Sequence, residues 1–305
     1  MNDKTDIVPT CANCGKGEEE SGKLKNCTAC MMVKYCSREC QIAHRPQHKK
    51  ACKKRAAELY DEKLFKEPPS QYEDCPICLL RMPSIRSGRK YMECCGKMIC
   101  CGCNYAPVYD HLGNEVYDQK CPFCRTPQAY SDEELNEREN KRMQADDPIA
   151  IFNIGVYYRD REYGFPQDYT KALELWHRAG ELGYATAYSN IANSYGSGRS
   201  VKIDKKKAKY YFELAAMGGS LEGRYNAGIK EKDAGNYDRA LKHHMIAVRS
   251  GFAKSLEIIK KLYSDGNATK DDCTKALRCY QTYLGEIKSK QRDEAAAAHD
   301  EYRYY

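Results

Sequence analysis

Residues 35–52 have the sequence YCSRECQIAHRPQHKKAC, and they complete a run of eight residues of zinc-ligand type. In order, these are Cys11, Cys14, Cys27, Cys30, Cys36, Cys40, His48 and Cys52. A C-x2-C pair suits a turn that aims two thiolates at one ion. A four-residue step, such as Cys36 to Cys40 or His48 to Cys52, places both ligands on one face of a helix. Eight ligands are enough for two tetrahedral zinc sites.

Few apolar residues accompany these ligands, so a segment of about 40 residues can form little hydrophobic core. We therefore expect zinc binding to supply most of its folding free energy. Pro46 is expected to divide residues 35–52 into two short helical turns. His44 is an alternative ligand by spacing alone, but His48 pairs with Cys52, so we interpret His44 as a solvated residue of the helix face.

The spacing and the sequence of residues 35–52 resemble a MYND-type zinc finger that covers residues 11–52. The interleaved ligation of that family, transferred to the matching positions, implies two ligand sets. The first is Cys11, Cys14, Cys36 and Cys40, and the second is Cys27, Cys30, His48 and Cys52. MYND modules bind proteins, often through short proline-containing peptides, so the resemblance implies a partner of that class.

A second cysteine-rich segment covers residues 75–125, after a charged segment at 53–73 that is expected to form a helix and a linker. It contains the sequences CPIC at 75–78, ECCGKMICCGC at 93–103 and CPFCR at 121–125. Three C-x2-C pairs are evident as turn chelates, namely Cys75 with Cys78, Cys100 with Cys103, and Cys121 with Cys124.

Residues 75–125 resemble a RING-type zinc finger. The cross-braced ligation of RING fingers implies that one ion takes Cys75, Cys78, Cys100 and Cys103. The commonest RING pattern has a histidine where this chain has Lys97. Variants with eight cysteines are more similar, because they place a cysteine at the position of Cys95. The second ion is then expected to take Cys94, Cys95, Cys121 and Cys124.

Cys94 is the ligand with alternatives, because two adjacent ligands on one ion strain a tetrahedron. Cys101 or His111 could take its place; otherwise we interpret Cys101 as a spare thiol and His111 as a loop residue. Four protein ligands would fill each coordination sphere, so the four predicted Zn²⁺ ions are expected to be structural, and zinc hydrolysis is not expected.

The resemblance to RING ubiquitin ligases also implies a contact site for a ubiquitin-conjugating enzyme. Its family positions are occupied here by Ile77, Pro122 and Arg125. An exposed Ile77 could insert into a groove of the partner, and Arg125 could restrain a tethered ubiquitin through several hydrogen bonds. The alternative interpretation is that Ile77 packs internally, Pro122 shapes its turn, and Arg125 is a solvated charge.

Lysine–alanine or arginine–alanine pairs recur at steps of 36, 32 and 36 residues in the second half of the chain. The pairs are Lys171-Ala172, Lys207-Ala208, Arg239-Ala240 and Lys275-Ala276. Such a period predicts an all-α helical-repeat solenoid at residues 147–288. A connecting helix with a capping-box start is expected at 131–146, and a fraying helix at 289–305. The repeats resemble Sel-1-like repeats, relatives of tetratricopeptide repeats, which implies a surface for a protein client.

The sequence leads to specific expectations for several residues of the repeats. Positions expected at close helix contacts are Gly155, Ala192, Ala215, Gly228 and Ala247. We expect Trp176 to lie in the core and the adjacent His243 and His244 to lie on the surface. Cys273 and Cys279 have no other ligand-type residues nearby, so we interpret them as ordinary helix thiols.

Composition limits the environment and the partners. Sixteen of the 18 cysteines lie between Cys11 and Cys124, and no segment resembles a signal peptide or a membrane span. We therefore expect an intracellular protein of the cytoplasm or nucleus, where paired thiols bind metal. Four Zn²⁺ ions bring eight positive charges and fifteen thiolates bring fifteen negative charges, which together offset the formal charge of +7. Nucleic acid is therefore not an expected partner.

The predicted fold class is multidomain, with two small zinc-stabilised modules followed by a helical-repeat solenoid. Two functions follow from this order of modules. The first is a RING-type ubiquitin ligase that recruits its substrate through the repeats and the MYND finger and that uses no covalent catalytic residue. The alternative is a non-catalytic, zinc-dependent scaffold, which is consistent with Lys97 at the usual histidine position.

Overall fold

The computed structural model describes residues 9–106, 114, 116 and 120–305. This part of the chain contains thirteen α-helices and two antiparallel two-stranded sheets. None of these helices combines the length and the apolar character that crossing a bilayer requires. The chain divides into two compact units, Met1–Lys66 and Glu67–Tyr305.

The first unit has a core built largely from ligand cysteines. Its elements are α1 (Glu18–Ser21), β1 (Lys25–Asn26), β2 (Lys34–Tyr35) and α2 (Arg38–Leu64). Strands β1 and β2 pair antiparallel, with Lys25 opposite Tyr35. The buried cluster beside this sheet consists of three cysteines together with Leu24 and Tyr35. So small an apolar set agrees with the expectation that metal coordination replaces a hydrophobic core.

Helix α2 differs from the sequence expectation at Pro46. Two short turns were expected, but α2 runs without interruption through Pro46 and continues to Leu64, within the charged segment that follows the finger. Its start is set by Ser37, whose hydroxyl accepts a hydrogen bond from the N–H of Cys40 at 3.2 Å. A proline inside a helix costs about 3 kcal/mol. Predicted ligands lie on both sides of Pro46, so coordination can hold the helix together across this defect.

The second unit begins with the second zinc module. A 3-10 helix at Arg86–Gly88 leads into β3 (Arg89–Met92), which pairs antiparallel with β4 (Lys97–Cys100). Helix α3 (Cys101–Tyr105) follows directly, and α4 (Asp132–Gln144) connects the module to the repeats. Helix α4 begins at the predicted Ser131 cap, although the Glu134 carboxylate accepts from the N–H of Tyr130 rather than from that of Ser131.

Four helix pairs form the repeats, as the spacing of the basic–alanine pairs predicts. Their helices are α5 (Pro148–Asp160), α6 (Tyr169–Glu181), α7 (Thr186–Ser197), α8 (Lys205–Met217), α9 (Leu221–Asp233), α10 (Tyr237–Arg249), α11 (Ala253–Ser264) and α12 (Lys270–Ile287). Helix α13 (Lys290–Ala298) and a 3-10 helix at Asp300–Tyr302 end the chain. Side chains of Asp147, Asp168, Asp204, Ser220 and Thr269 cap the amino ends of α5, α6, α8, α9 and α12. The predicted fold class is confirmed.

Small residues let neighbouring helices of the repeats approach closely, as predicted. Ala192, Ala215 and Ala247 are fully buried. At Gly228, an added Cβ would lie 2.7 Å from Nε2 of His244. Trp176 is buried, and its indole N–H donates to the carbonyl oxygen of Phe152 at 3.3 Å, so its predicted core position is confirmed.

His243 and His244 were expected on the surface, and this prediction is wrong. Both side chains are fully buried on α10, which packs against α9 on one side and α11 on the other. Neighbouring positions of a helix point about 100° apart, so two adjacent residues can face two packed neighbours. His244 Nδ1 lies 3.1 Å from the hydroxyl of Ser255. Burial lowers the pKa of His243 to about 3 and that of His244 to about 4.

The C-terminal segment was expected to fray, and this prediction is also wrong. Helix α13 packs on α3 of the second zinc module, and Arg292 and Tyr304 are buried. Tyr304 belongs to a cluster with Cys101, Tyr283 and Ile287. These partners are distant in sequence, so local composition gives no sign of them.

The second zinc module and the repeats form one compact unit through direct hydrogen bonds. The hydroxyl of Ser84 donates to the carbonyl of Gly251 at 2.9 Å, and the N–H of Ser84 donates to the hydroxyl of Tyr283 at 2.6 Å. Nearer the start of the unit, Arg89 of the module donates to the hydroxyl of Tyr72 at 3.1 Å, and this hydroxyl lies 3.1 Å from that of Tyr184. The module is therefore fixed to both the first and the last repeats.

Replacing Gly155 by alanine tests the close packing of α5 on α6. The added Cβ would lie 2.6 Å from Trp176 Nε1 and 3.3 Å from the carbonyl oxygen of Ala172. We expect Gly155→Ala to lower the free energy of unfolding by about 1–3 kcal/mol. Gly285→Ala is the matched control, because Gly285 lies in α12 with no atom within 4 Å of the new Cβ.

The control is expected to be neutral or to stabilise by up to about 1 kcal/mol, since alanine is the better helix former. Denaturant unfolding of the zinc-loaded proteins, followed by circular dichroism, gives both values. An equal effect of the two substitutions would contradict the proposed close contact.

Candidate metal centres

Four groups of side chains bring ligand atoms within 4.8 Å of one another. The groups are Cys11, Cys14, Cys36 and Cys40; Cys27, Cys30, His48 and Cys52; Cys75, Cys78, Cys100 and Cys103; and Cys94, Cys95, Cys121 and Cys124. We name them sites 1 to 4 in this order. The structure thus brings together the residues that the sequence predicts as ligands, in the predicted combinations.

The separations within each group match tetrahedral zinc. Zn–S bonds of about 2.3 Å give S···S edges of about 3.8 Å in a tetrahedron, whereas a disulfide joins its sulfurs at about 2.05 Å. Sulfur separations include 3.6 Å for Cys14–Cys36, 3.7 Å for Cys27–Cys52, 3.8 Å for Cys78–Cys100 and 3.8 Å for Cys95–Cys121. All the cysteines are free thiols. The four donor sets fit four Zn²⁺ ions.

Four of the C-x2-C pairs share one backbone turn. In each, the residue after the second cysteine donates its N–H to the carbonyl of the first cysteine at 2.8–2.9 Å. That residue also has a positive φ; the four are Gly15, Met31, Leu79 and Arg125, with φ of 76°, 57°, 58° and 65°. The turn folds the chain back over the ion and directs the following side chain outward. We call each of these turns a knuckle.

The remaining ligand pairs of sites 3 and 4 have different local structures. Cys100 ends β4 and caps α3, and Cys103 lies within that helix. Cys94 and Cys95 lie in the turn between β3 and β4, where Gly96 has φ of 71° and donates its N–H to Met92 at 2.8 Å. This tight turn places both Cys94 and Cys95 in the same ligand group, although the two residues are adjacent in sequence.

The alternatives to Cys94 and to His48 are placed differently. Cys101 faces the buried cluster beneath α13 rather than a ligand group, and His111 lies outside the described residues. His48 Nε2 lies 3.2 Å from Cys30 Sγ. His44 instead has its Nδ1 3.0 Å from the hydroxyl of Tyr35, and its ring stacks on that of His48.

Electrostatics favour a cation at these groups. Burial and the neighbouring thiols of Cys124 and Cys121 raise the pKa of Cys94. Four thiolates therefore need a positive charge among them, which a divalent ion supplies. Arg142 supports the same turn from α4, because its Nη2 donates to the carbonyl of Cys94 at 2.8 Å.

The three residues predicted to contact a conjugating enzyme lie on the knuckles of sites 3 and 4. Ile77 is 40% exposed, Arg125 is exposed, and Pro122 is half-buried. The sequence interpretation missed two apolar side chains of the same knuckles, Leu79 at 76% exposure and Phe123 at 44%. A signal was available for both, since Leu79 directly follows its C-x2-C pair and Phe123 lies between the two cysteines of its pair, next to Pro122.

A groove lies across the first repeats, with a volume of about 630 Å³. Its wall includes Asn190 and Asn193 from α7 and Asn226 and Lys230 from α9. Arg199, in the loop after α7, adds a second positive charge. We call this the repeat groove. Its lining combines amide groups, which can bind a peptide main chain, with cationic side chains.

A second groove lies beside β2 and α2 in the first unit, with a volume of about 660 Å³. Ile42 and Tyr35 contribute apolar surface, and Arg45, Lys49 and Lys53 contribute basic side chains. We call this the finger groove. An apolar surface beside cationic donors suits a short peptide.

Comparison with known families identifies two of the three modules. Residues 11–52 match the MYND finger, and residues 148–184 and 185–220 match the Sel1 repeat. The chain therefore combines a MYND finger, a second zinc module with two further cysteine groups, and a solenoid that contains Sel1 repeats.

Several curated proteins resemble parts of this chain. The E3 ubiquitin-protein ligase DA2 of Arabidopsis thaliana is 30% identical over 91 residues, which cover 30% of this chain and 21% of that protein. The ERAD-associated E3 ubiquitin-protein ligase component HRD3B of the same plant is 29% identical over 126 residues, covering 40% and 19%. The SET domain and MYND-type zinc finger protein 6 of Schizosaccharomyces pombe is 41% identical over 51 residues, covering 17% and 10%. The chain matches about a fifth or less of each relative.

Two solved structures have similar chains. The Sel1 repeat protein from Oxalobacter formigenes has a TM-score of 0.45 and 23% identity, covering 60% of this chain and 71% of that one. A protective antigen of uropathogenic Escherichia coli with an SLR fold has a TM-score of 0.44 and 20% identity, covering 58% and 42%.

Metal analysis tests the four centres directly. We expect four zinc ions per chain in the wild type, three in Cys94→Ser, and four in Cys101→Ser. Cys94 belongs to a ligand group, whereas Cys101 lies in the buried cluster with Tyr283, Ile287 and Tyr304. Elemental analysis after dialysis gives the stoichiometry. Two or fewer ions in the wild type would contradict the four-site assignment, and an equal loss in Cys101→Ser would contradict the assignment of Cys94.

Proposed function

We propose that this chain is an intracellular RING-type ubiquitin ligase. In this proposal the second zinc module holds a ubiquitin-conjugating enzyme, and the two grooves recruit the substrate. The observation that carries it is the apolar surface on the knuckles of sites 3 and 4, where Ile77, Leu79 and Phe123 are exposed beside complete donor sets. The resemblance to DA2 and HRD3B, which are named as an E3 ligase and a ligase component, supports the same class.

The proposed mechanism needs no covalent catalytic residue. Ile77 and Leu79 offer apolar anchors that a groove of the conjugating enzyme would bury, with Pro122 stiffening the neighbouring knuckle. Arg125 carries a planar group with five donors and lies on the surface. Hydrogen bonds from this group would hold a tethered ubiquitin in a reactive orientation, which raises the effective concentration of its thioester.

A non-catalytic scaffold is the alternative function. Lys97 favours it, because this lysine stands where RING fingers commonly have a histidine ligand. The donor set of site 4 is nevertheless complete, since Cys94 and Cys95 both join Cys121 and Cys124. A complete site can support the partner surface, so we prefer the ligase.

The repeat groove is proposed to bind an extended, acidic segment of the client. Asn190 and Asn226 lie on successive repeats and offer amide donors and acceptors for a peptide main chain. Arg199 and Lys230 favour carboxylates, and Asp233 is the one acidic residue lining this groove in the described part of the chain.

The finger groove is proposed to bind a short proline-containing peptide. Proline-rich segments adopt an extended helix that leaves their carbonyl groups unpaired. Ile42 is exposed and can pack on a proline ring, while Arg45 and Lys49 can donate to those carbonyls. The two grooves would therefore bind different segments of one client or two separate partners.

Ubiquitination with a panel of conjugating enzymes tests the ligase proposal. We expect Ile77→Ala to weaken binding of the active conjugating enzyme about tenfold, because the substitution truncates an interface anchor. Arg125→Ala is expected to leave this binding unchanged and to slow ubiquitin discharge about tenfold. Binding by calorimetry and discharge of a preformed thioester separate the two effects.

Two matched variants serve as controls. Ile203→Ala removes an isoleucine exposed on the repeats, and Arg161→Ala removes an exposed arginine with φ of 61°. Both should retain wild-type activity. If the four-zinc protein forms no ubiquitin chains with any enzyme of the panel, the ligase proposal fails and the scaffold becomes the preferred function.

Charge reversal tests the repeat groove. An extended acidic peptide should bind more tightly than a basic peptide of the same length and apolar content, and added salt should weaken it. We expect Lys230→Glu to reduce affinity for the acidic peptide about tenfold, since it places like charges together. Lys254→Glu, on α11 outside the groove, is the control. Equal binding of the two peptides, or equal loss in the two variants, would contradict the proposed site.

A further inference from the structure

The C-terminal helix contributes a fully buried cation. Arg292, on α13, is among the largest side chains with no exposed surface. Its Nη1 donates to the carbonyl oxygens of Arg81 at 2.9 Å and Ile287 at 2.7 Å, and its Nη2 lies 3.7 Å from Cys78 Sγ. Its Nε has no hydrogen-bond partner among the described residues. The guanidinium thus contacts two neutral carbonyls and the sulfurs of Cys78 and Cys100.

A buried guanidinium without a carboxylate needs another source of negative charge, because removing an unpaired charge from water costs several kcal/mol. Site 3 has that charge. Four thiolates around one Zn²⁺ would carry a net charge of −2, and the set includes both Cys78, 3.7 Å from the guanidinium, and Cys100, which also interacts with it. With zinc bound, Arg292 would offset one of these two negative charges and would itself gain a counter-charge within a buried volume.

The approach of α13 to site 3 depends on Gly102. This residue lies between the ligands Cys100 and Cys103, and an added Cβ would lie 2.9 Å from the main-chain nitrogen of Arg292. The thiol of Cys103 donates to the side-chain oxygen Oε1 of Gln291 at 3.7 Å. Two consecutive residues of α13 thus contact two different ligands of one ion.

We propose that α13 forms the outer wall of site 3 and that Arg292 is a positioning residue for its zinc. The guanidinium orients the Cys78 thiolate and offsets part of the charge of the tetrathiolate group. Retention of this ion therefore depends on a helix that follows the last repeat. Outer contacts of this kind change metal affinity by about 10–100-fold when they are removed. This inference does not depend on ubiquitin transfer.

The same arginine connects the zinc to the end of the solenoid. Nη1 bonds the carbonyl of Ile287, the last residue of α12, and the carbonyl of Arg81 within the zinc module. One side chain thus joins the last repeat, the terminal helix and the metal centre. If zinc leaves site 3 and the four thiolates take up protons, the guanidinium loses its counter-charge, so the wall and the metal stabilise each other.

Zinc release from the full-length, four-zinc protein tests the proposal. Arg292→Met removes the charge, and Arg292→Lys keeps it but loses the fork of donors. Lys290→Met is the control, since this neighbouring side chain is 91% exposed. We expect an excess of chelator to remove one of the four ions about tenfold faster from Arg292→Met, at an intermediate rate from Arg292→Lys, and at the wild-type rate from the control.

Two further measurements assign the effect to site 3. Thiol alkylation followed by mass spectrometry should show new reactivity at Cys75, Cys78, Cys100 and Cys103. In the cobalt-substituted protein, the thiolate-to-metal charge-transfer band should move to lower energy in Arg292→Met, because the cation beside Cys78 is gone. Loss of packing alone would not produce both the expected order of zinc release rates among the variants and this shift of the charge-transfer band.

Three results would overturn the proposal. These are wild-type release from Arg292→Met, equal release from the methionine and lysine variants, and new reactivity confined to cysteines of other sites. If circular dichroism shows that Arg292→Met does not fold, Arg292→Lys decides the question. Faster release at the site 3 cysteines then supports the proposal, and wild-type release rejects it.

Discussion

Coordination of zinc by closely spaced thiolates is the interaction on which the rest of this structure depends. Sulfurs held about 3.8 Å apart repel one another as thiolates, so only a multivalent cation makes each group stable. A hydrophobic core is small in the first unit, where, among the described residues, Leu24 and Tyr35 are the other buried members of the cysteine cluster. The finger groove is therefore a surface that exists because the metal holds its walls.

The second zinc module depends on its ions and on the repeats together. Ser84 and Tyr72 bond residues of the repeats, and α13 returns from the last repeat to cover site 3. This arrangement fixes the knuckle surface relative to the repeat groove within one compact unit. For a ligase, a fixed separation matters, because a client held in a constant position spends more time within reach of the activated ubiquitin.

Local chemistry explains which features the sequence could predict. A knuckle needs only five consecutive residues, so its ligands follow from spacing, and the repeats follow from a period of helix-length segments. Pro46 was misjudged because a local penalty of about 3 kcal/mol is smaller than the 10–16 kcal/mol that structural zinc can contribute. The burial of Arg292 depends on residues of the zinc module that are distant in sequence. His243 and His244 are buried by the neighbouring helices α9 and α11, and the sequence of α10 alone does not show that both of these faces are packed.

Basic residues have different surroundings in the two halves of the second unit, which are the zinc module and the repeats. Near the thiolate groups, Arg292 and Arg142 are engaged by main-chain carbonyls and by the charge of the metal centres. Along the repeat groove, Arg199 and Lys230 line a surface formed by amides and helix ends, with no thiolate group to balance them. A chain whose total charge nearly cancels on zinc binding can thus keep a local excess of positive charge. That excess can select an acidic partner without making the whole protein a polycation.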